Sequence, residues 1–406
     1  MPIAVTGIGA VTPLGANARD LWSAVLAGES GIRDLESAGP VWDDLPIRVG
    51  APVTADLEEI LGRAKANKLD RFQQLAVVAA AEAWADAGAP EIDGDRLATV
   101  VATGIGGVQT LLGQDDVLEA SGARRVSPRT VPMLMANAAS AQLSIEYGAR
   151  AGTFTPVSAC AAGAEALALA ARLIEDGDAD VVIAGGAEAA VTPLTLAAFG
   201  QSRALAKPDG DPAGLSRPFD ADRRGFVLGE GAGIVVLERL EHALARGAKP
   251  LAILAGYGVT SDAHHITATD PSGRGQVRAM RRAIERAGLE PADVKHVNAH
   301  ATGTSVGDVS EARAVRETFD GAVPPVTAPK GGLGHLVGAA GAVEAILTIL
   351  TVRTGLIPPT RNLSSIDPEI GLDVVQGAPR EADVPAAITN SFGFGGQNVS
   401  LVFARA

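Results

Sequence analysis

The chain has 406 residues, of which 47% are hydrophobic, 20% charged and only 3% aromatic, and it carries a formal net charge of −13 at pH 7. That balance supports a large core and excludes a disordered chain, while the acidic excess argues against nucleic acid as a partner, since phosphate recognition rests on clustered Lys and Arg. One cysteine permits no internal disulfide, the N-terminus lacks the basic start and small-residue cleavage site of an export signal, and no apolar run reaches the ~18 residues that span a bilayer; the expectation is a soluble, cytoplasmic protein.

In chain order, a strand is predicted at residues 2–5, then a glycine turn Gly7-Ile8-Gly9 and a helix around residues 17–22. Residues 39–52, with their prolines and aspartates, read as irregular surface, and 68–87 as an amphipathic helix stopped by Gly88 with Pro90 beyond. The apolar run 97–103 predicts a strand buried on both faces that ends in Gly104-Ile105-Gly106-Gly107, where backbone can approach a ligand closely. Residues 153–157 read as a short buried strand, 164–174 as a helix, and 179–186 and 233–238 as buried strands. The rhythm then restarts, with a strand at 251–259, a helix at 277–287, a strand at 294–300, a buried helix at 341–350, and closing strands at 386–391 and 398–403 around a glycine turn. Alternating strands and helices imply sheets covered on both faces. The predicted class is α/β, two similar halves at 1–250 and 251–406, packed as one body and divided near Pro250.

The only cysteine, Cys160, lies in Val157-Ser158-Ala159-Cys160-Ala161-Ala162-Gly163 at a predicted strand-to-helix turn. Free N–H groups and the positive end of a helix dipole there favour a thiolate and lower the thiol pKa. A cysteine taken at random is a small buried hydrophobe, but the small neighbours here leave room for a substrate. His300 ends a predicted strand and enters Ala301-Thr302-Gly303-Thr304, and His335 lies in Gly331-Gly332-Leu333-Gly334-His335. Each histidine alone is as readily structural as catalytic. His242 reads as solvated, and His264 with His265 has no further Cys or His at metal-ligand spacing, so no metal is expected. A cysteine with two histidines can transfer an acyl group through a thioester, with imidazole N–H groups stabilising charge on oxygen. Main-chain N–H groups at Cys160 and in the turn Gly393-Phe394-Gly395-Gly396 can form an oxyanion hole, and Lys330 with Glu344 is either the pair that orients the histidines or an ordinary salt bridge. A nucleotide-binding reading fails because Thr12 occupies the third glycine position of a G-x-G-x-x-G fingerprint and no Walker lysine follows a glycine loop.

These segments, together with Gly338-Ala339-Ala340-Gly341 and Asn390-Ser391-Phe392-Gly393-Phe394-Gly395-Gly396, resemble the successive motifs of the β-ketoacyl-acyl-carrier-protein synthases, in order and over nearly the whole chain. The similarity is greatest to the elongating type and to the ketosynthase subunits of type II polyketide systems. The resemblance implies a thiolase fold, two duplicated halves in a five-layer αβαβα sandwich, dimeric through the strand before the cysteine. It implies decarboxylative condensation of malonyl carrier protein with an acyl chain held on Cys160, His300 and His335 supporting that step and Lys330 and Glu344 organising them. By the same resemblance Thr302 and Thr304 hold the phosphopantetheine arm, Phe394 is the gate, and Ile105, Phe199 and Phe392 contact substrate. No cofactor is implied beyond that arm. Lys65, Lys68, Arg124, Arg125, Arg203 and Lys207 align with a basic rim for the acidic carrier protein, or are scattered solvated charges. Fatty-acid elongation is the expected role, as a homodimer. A polyketide or polyene ketosynthase paired with a chain-length partner is the alternative; a non-catalytic partner subunit is disfavoured by the intact Cys160, His300 and His335.

Overall fold

The computed structural model describes residues 2–406. Five strands of the main sheet come from the first half: β1 (Ile3–Val11), β2 (Leu97–Ala102), β3 (Gly152–Phe154), β4 (Val181–Glu188) and β5 (Gly231–Arg239). They lie in the order β3-β2-β4-β5-β1, parallel from β3 to β4 and antiparallel from β4 to β1. The second set is β6 (Ala252–Ser261), β7 (Val297–Asn298), β8 (Val326–Thr327), β9 (Ala386–Gly393) and β10 (Gln397–Ala404). Its order, β8-β7-β9-β10-β6, repeats the first in chain position and in strand sense. A short antiparallel pairing of Ile3–Val5 with β6 joins the two sets.

The helices α1 (Arg71–Asp86), α2 (Ala162–Glu175), α3 (Arg274–Arg286), α4 (Ser305–Phe319) and α5 (Ala340–Thr354) complete the layers. Helix α1 covers the outer face of the first half and α3, with α4 beside it, that of the second, while α2 and α5 pack on each other between the sheets. The result is the five-layer αβαβα sandwich of the thiolase fold. Segment 337–354 is long and apolar enough to cross a membrane, in contrast to the reading of the sequence, but 89% of it is buried in this central layer.

Low aromatic content shows in how the layers touch. Gly7 and Gly9 are not a turn, as expected, but lie inside β1, where a Cβ would stand 2.1 Å from the carbonyl oxygens of Ala83 and Ala79 on α1. Gly256 and Gly258 on β6 meet Ala283 and Ala279 of α3 in the same way, at 2.1 and 2.0 Å. Both halves thus seat an alanine helix directly on a glycine-bearing strand, which β-branched strand residues would forbid. Between the sheets, Gly163 of α2 and Gly341 of α5 face each other's backbones. The strand before the cysteine differs from expectation. It ends at Phe154, and it is an exposed sheet edge rather than a buried strand, with Phe154 39% and Val157 56% exposed.

Candidate active site

The carboxyl ends of the parallel strands β2, β7 and β9 converge on one cavity of about 500 Å³. Cys160, His300 and His335 all line it. Cys160 sits on a single 3-10 turn, Ala159–Ala161, directly ahead of α2. Ala159 holds φ at +51°, a conformation a Cβ resists, and it turns the next side chain into the cavity. A Cβ on Gly393 would lie 3.1 Å from the Cys160 nitrogen, so only glycine lets the β9–β10 hairpin approach the nucleophile this closely. His300 follows β7, where Glu311 of α4 accepts hydrogen bonds from the main-chain N–H groups of His300 (2.9 Å) and Ala301 (2.7 Å). His335 follows Gly334, at φ +71°, and its backbone is tied to the strand-like segment at Val227 and Gly229.

The sulfur of Cys160 lies 3.0 Å from His335 Nε2, and the two imidazoles stand edge to face with centroids 5.6 Å apart. Phe226 packs edge-on against His335 at 5.1 Å and Phe392 against His300 at 6.0 Å. Behind them, fully buried Lys330 donates from Nζ to the His300 carbonyl oxygen at 2.6 Å, to Glu344 Oε1 at 2.5 Å and, at 3.4 Å, to His300 Nδ1. An ammonium has no acceptor capacity, so Nδ1 of His300 is the bare nitrogen and Nε2 carries the proton. Glu344 is fixed in turn by its place on α5, whose carbonyl at residue 344 accepts from Asn298 at 3.2 Å.

Burial sets the protonation states. It pushes the Cys160 thiol up to about 11, against the pull of the Lys330 charge and of the Phe394 and Cys160 N–H groups that point at the sulfur. Cys160 lies two residues ahead of α2 and is partly exposed to the cavity, and enclosure of the sulfur there opposes the thiolate that the nearby dipoles favour. Burial, reinforced by the Lys330 charge, holds His300 and His335 well below the usual histidine range, so both are neutral. Burial also raises Glu344 and Glu311 to about 7, in each case against Lys330. The resting site is a neutral thiol beside a neutral imidazole, with two main-chain N–H groups aimed where sulfur, and later an acyl oxygen, resides.

The other expected residues fall into place around this centre. Thr302 and Thr304 line the mouth with their hydroxyls 3.1 Å apart, on a loop held by buried Asp308 through the N–H of Gly303. Ile105 and Phe394, 40% and 39% exposed, flank the opening, and Phe199 lies deeper, edge-on to Phe226 at 5.5 Å. The basic residues do not form one patch by contact. Arg203 and Lys207 share a second cavity with Arg224, whereas Lys65 is ion-paired to Glu146 at 2.8 Å. Lys68, Arg124 and Arg125 are exposed, the last two on a 3-10 turn. Sequence reasoning missed Glu188, Glu311, Asp308 and Phe226. An acidic residue ending an otherwise apolar strand was the available signal for Glu188; Glu311, among the charged residues of α4, offered none.

Known proteins share this sequence pattern and fold. The Beta-ketoacyl synthase N-terminal domain matches residues 1–243 and the corresponding C-terminal domain residues 251–364. A 3-oxoacyl-[acyl-carrier-protein] synthase 2 of Mycobacterium tuberculosis is 46% identical over 404 residues, covering 99% of this chain and 97% of the relative. Among solved structures, the ishigamide ketosynthase/chain length factor superposes with a TM-score of 0.91 at 33% identity, covering 100% of this chain and 99% of that one. A type II polyketide ketosynthase bound to its acyl-carrier protein superposes with a TM-score of 0.91 at 27% identity and the same coverage. Family matches that span both halves, a near-full-length relative and a cavity that unites one thiol with two imidazoles agree: the chain belongs to the β-ketoacyl synthase family.

Proposed function

We propose that this chain elongates acyl chains by two carbons, with Cys160 as nucleophile and His300 and His335 as the pair that drives decarboxylation and condensation. The 3.0 Å contact from Cys160 Sγ to His335 Nε2, inside a cavity that also holds His300, carries the proposal. As sulfur attacks an acyl thioester, the thiol proton passes to the departing phosphopantetheine sulfur; His335 Nε2, 3.0 Å away, accepts a hydrogen bond from the thiol but is not required to carry the proton. This concerted removal suits a thiol whose free pKa is high. The oxygen of the tetrahedral intermediate sits against the N–H groups of Cys160 and Phe394. A malonyl thioester then enters past Thr302 and Thr304, and its C–C bond to the carboxylate breaks to release CO₂. The electron pair becomes an enolate whose oxygen faces the imidazoles, with the His300 Nε2–H as donor. The enolate carbon attacks the acyl carbonyl, the Cys160–acyl bond breaks to free the lengthened β-ketoacyl thioester, and the departing Cys160 thiolate takes a proton from solvent to restore the thiol. Lys330, paired with Glu344, fixes the His300 tautomer throughout. Ile105, Phe199 and Phe392 contact the acyl chain and Phe394 gates it.

Residues 1–250 and 251–406 are proposed as the two halves, the first supplying the thiol and the second both histidines. The exposed β3 edge at Phe154, with exposed Val157 just beyond it, supports a homodimer formed there. Arg203 and Lys207, with Lys65, Lys68, Arg124 and Arg125, are proposed as the rim that receives an acidic acyl carrier protein in a reducing cytoplasm, where a free thiol persists. No resident cofactor or metal is proposed. Fatty-acid elongation is favoured over a polyketide role because the synthase relative is 46% identical, against 33% for the ishigamide ketosynthase/chain length factor and 27% for the type II polyketide ketosynthase. The experiment is a half-reaction assay. His335→Ala is expected to retain acylation of Cys160 better than it retains malonyl decarboxylation, and unimpaired decarboxylation by that variant refutes the assignment.

A further inference from the structure

Glu188, the last residue of β4, has no part in the chemistry above, yet it is fully buried beside the cavity and its carboxylate is saturated with donors. Oε1 accepts from the Thr103 hydroxyl at 3.1 Å, and Oε2 accepts from the main-chain N–H of Gly104 at 2.7 Å and of Gly338 at 3.1 Å. Gly104 begins the loop that carries Ile105 on the cavity wall, and Gly338 lies three residues after His335. Between them Val337 is held at φ +46°, a costly conformation for a β-branched residue. The two segments are in backbone contact: a Cβ on Gly338 would stand 2.2 Å from the Gly104 nitrogen, and one on Gly104 2.7 Å from Val337 Cγ1.

We infer that Glu188 is a positioning residue for condensation, its carboxylate bolting the acyl-pocket loop at 103–106 to the turn at 336–338 so that the pocket wall and the His335 imidazole are held as one body. This inference rests on the role given to His335. Without the carboxylate, two buried N–H groups lose their acceptor, Val337 is free to leave its strained conformation, and the imidazole loses its fixed relation both to the sulfur 3.0 Å away and to an acyl chain lying against Ile105. A misplacement of about 1 Å costs on the order of 100-fold in rate. The step most exposed to it is the malonyl step, in which two imidazoles and the acyl carbonyl must be aligned together.

The test compares Glu188→Leu, which fills the space without accepting, with Glu188→Gln. The glutamine carbonyl still takes both N–H groups while its amide nitrogen donates to the Thr103 hydroxyl. Acylation of Cys160 by acyl carrier protein is followed by intact mass, and condensation with malonyl carrier protein by steady-state kinetics. E188L is expected to lose about 100-fold in kcat for condensation with KM within about threefold, to lose less than about fivefold in acylation, and E188Q to recover to within about fivefold of wild type. Equal loss in both half-reactions, no loss in kcat, or E188Q no better than E188L would overturn the inference. Should E188L fail to fold by thermal shift, Thr103→Val, which removes one donor from the same carboxylate, must reproduce the ordering of the two half-reactions, and its failure to do so overturns the inference equally. A wild-type protein that forms no acyl adduct on Cys160 would instead refute the condensing assignment, and the inference falls with it.

Discussion

Replacing Lys330 by methionine separates what its ammonium does for the fold from what it does for the histidines. The side chain is 1% exposed and donates to the His300 carbonyl at 2.6 Å, to Glu344 at 2.5 Å and, at 3.4 Å, to His300 Nδ1. Breaking one side of a buried pair costs about 3–5 kcal/mol because it strands the other charge. Burial already raises Glu344 to about 7, so protonation relieves part of that, and the lower end applies below neutral pH. Unfolding entropy of about 2.1 cal/mol/K per residue over 406 residues converts this into a fall in Tm of about 4–6 °C. The double variant Lys330→Met, Glu344→Gln removes the stranded carboxylate and is expected to recover most of that loss. Catalysis should not recover with it. His300 Nδ1 has lost its donor, the Nε2–H is no longer imposed, and malonyl decarboxylation is expected to fall by about 10²–10³ in both variants, the range seen when one donor to a developing oxyanion is removed. Thermal denaturation and CO₂ release from malonyl carrier protein supply the two readouts. Decarboxylation restored in step with stability in the double variant would refute the reasoning, because Lys330 would then act only as a structural partner of Glu344.

Other outcomes follow from the same structure. Gly7→Ala and Gly256→Ala each place a Cβ 2.1 Å from a helix carbonyl, and each should cost at least the 1–3 kcal/mol typical of overpacking, to a similar degree, in urea titrations; a tolerated substitution in one half and not the other would contradict the shared packing device. The rate of Cys160 alkylation by iodoacetamide should keep rising to about pH 10–11, since burial puts the thiol at about 11, and Lys330→Met should move the profile higher, Lys330 being the strongest influence that lowers it. Burial raises Glu311 from 4.5 to about 7. The folded state therefore binds this proton more tightly than the unfolded chain, and the stability so contributed is full below about pH 4.5 and lost as pH rises through 7. Relative to Glu311→Gln, wild-type Tm should decline across pH 5–8, and parallel curves would contradict that reading.

Much of the fold was legible because each half repeats strand and helix signals that local composition writes plainly. Apolar runs at β2, β4 and β5 and the glycine stop at Gly88 gave elements close to those observed. Where the reading failed, tertiary contact had overridden local preference. Gly7 and Gly9 look like a turn, but they lie inside a strand because α1 must approach it. Strand β7 covers only Val297–Asn298 of the expected 294–300, although the pairing runs on in the Ala299 N–H to Thr327 carbonyl bond that leads to His300. Cys160, His300, His335 and the Lys330–Glu344 pair were legible from their small-residue and glycine surroundings, which is where backbone must pass close to a substrate. Protonation was not, since a pKa depends on how deeply a group is enclosed, and no spacing in the chain reveals that the sulfur is desolvated rather than stabilised. Glu188 escaped notice for a related reason: its partners, Gly104 and Gly338, are 84 and 150 residues away in the chain.

The most direct measurement is the intact mass of the protein after incubation with an acyl carrier protein and then with malonyl carrier protein. The expected record is an acyl adduct confined to Cys160, absent from Cys160→Ala, that disappears on adding the malonyl donor as a β-ketoacyl thioester two carbons longer appears on the carrier. An adduct on another residue, or elongation that persists in Cys160→Ala, would contradict the assignment of that sulfur as the nucleophile.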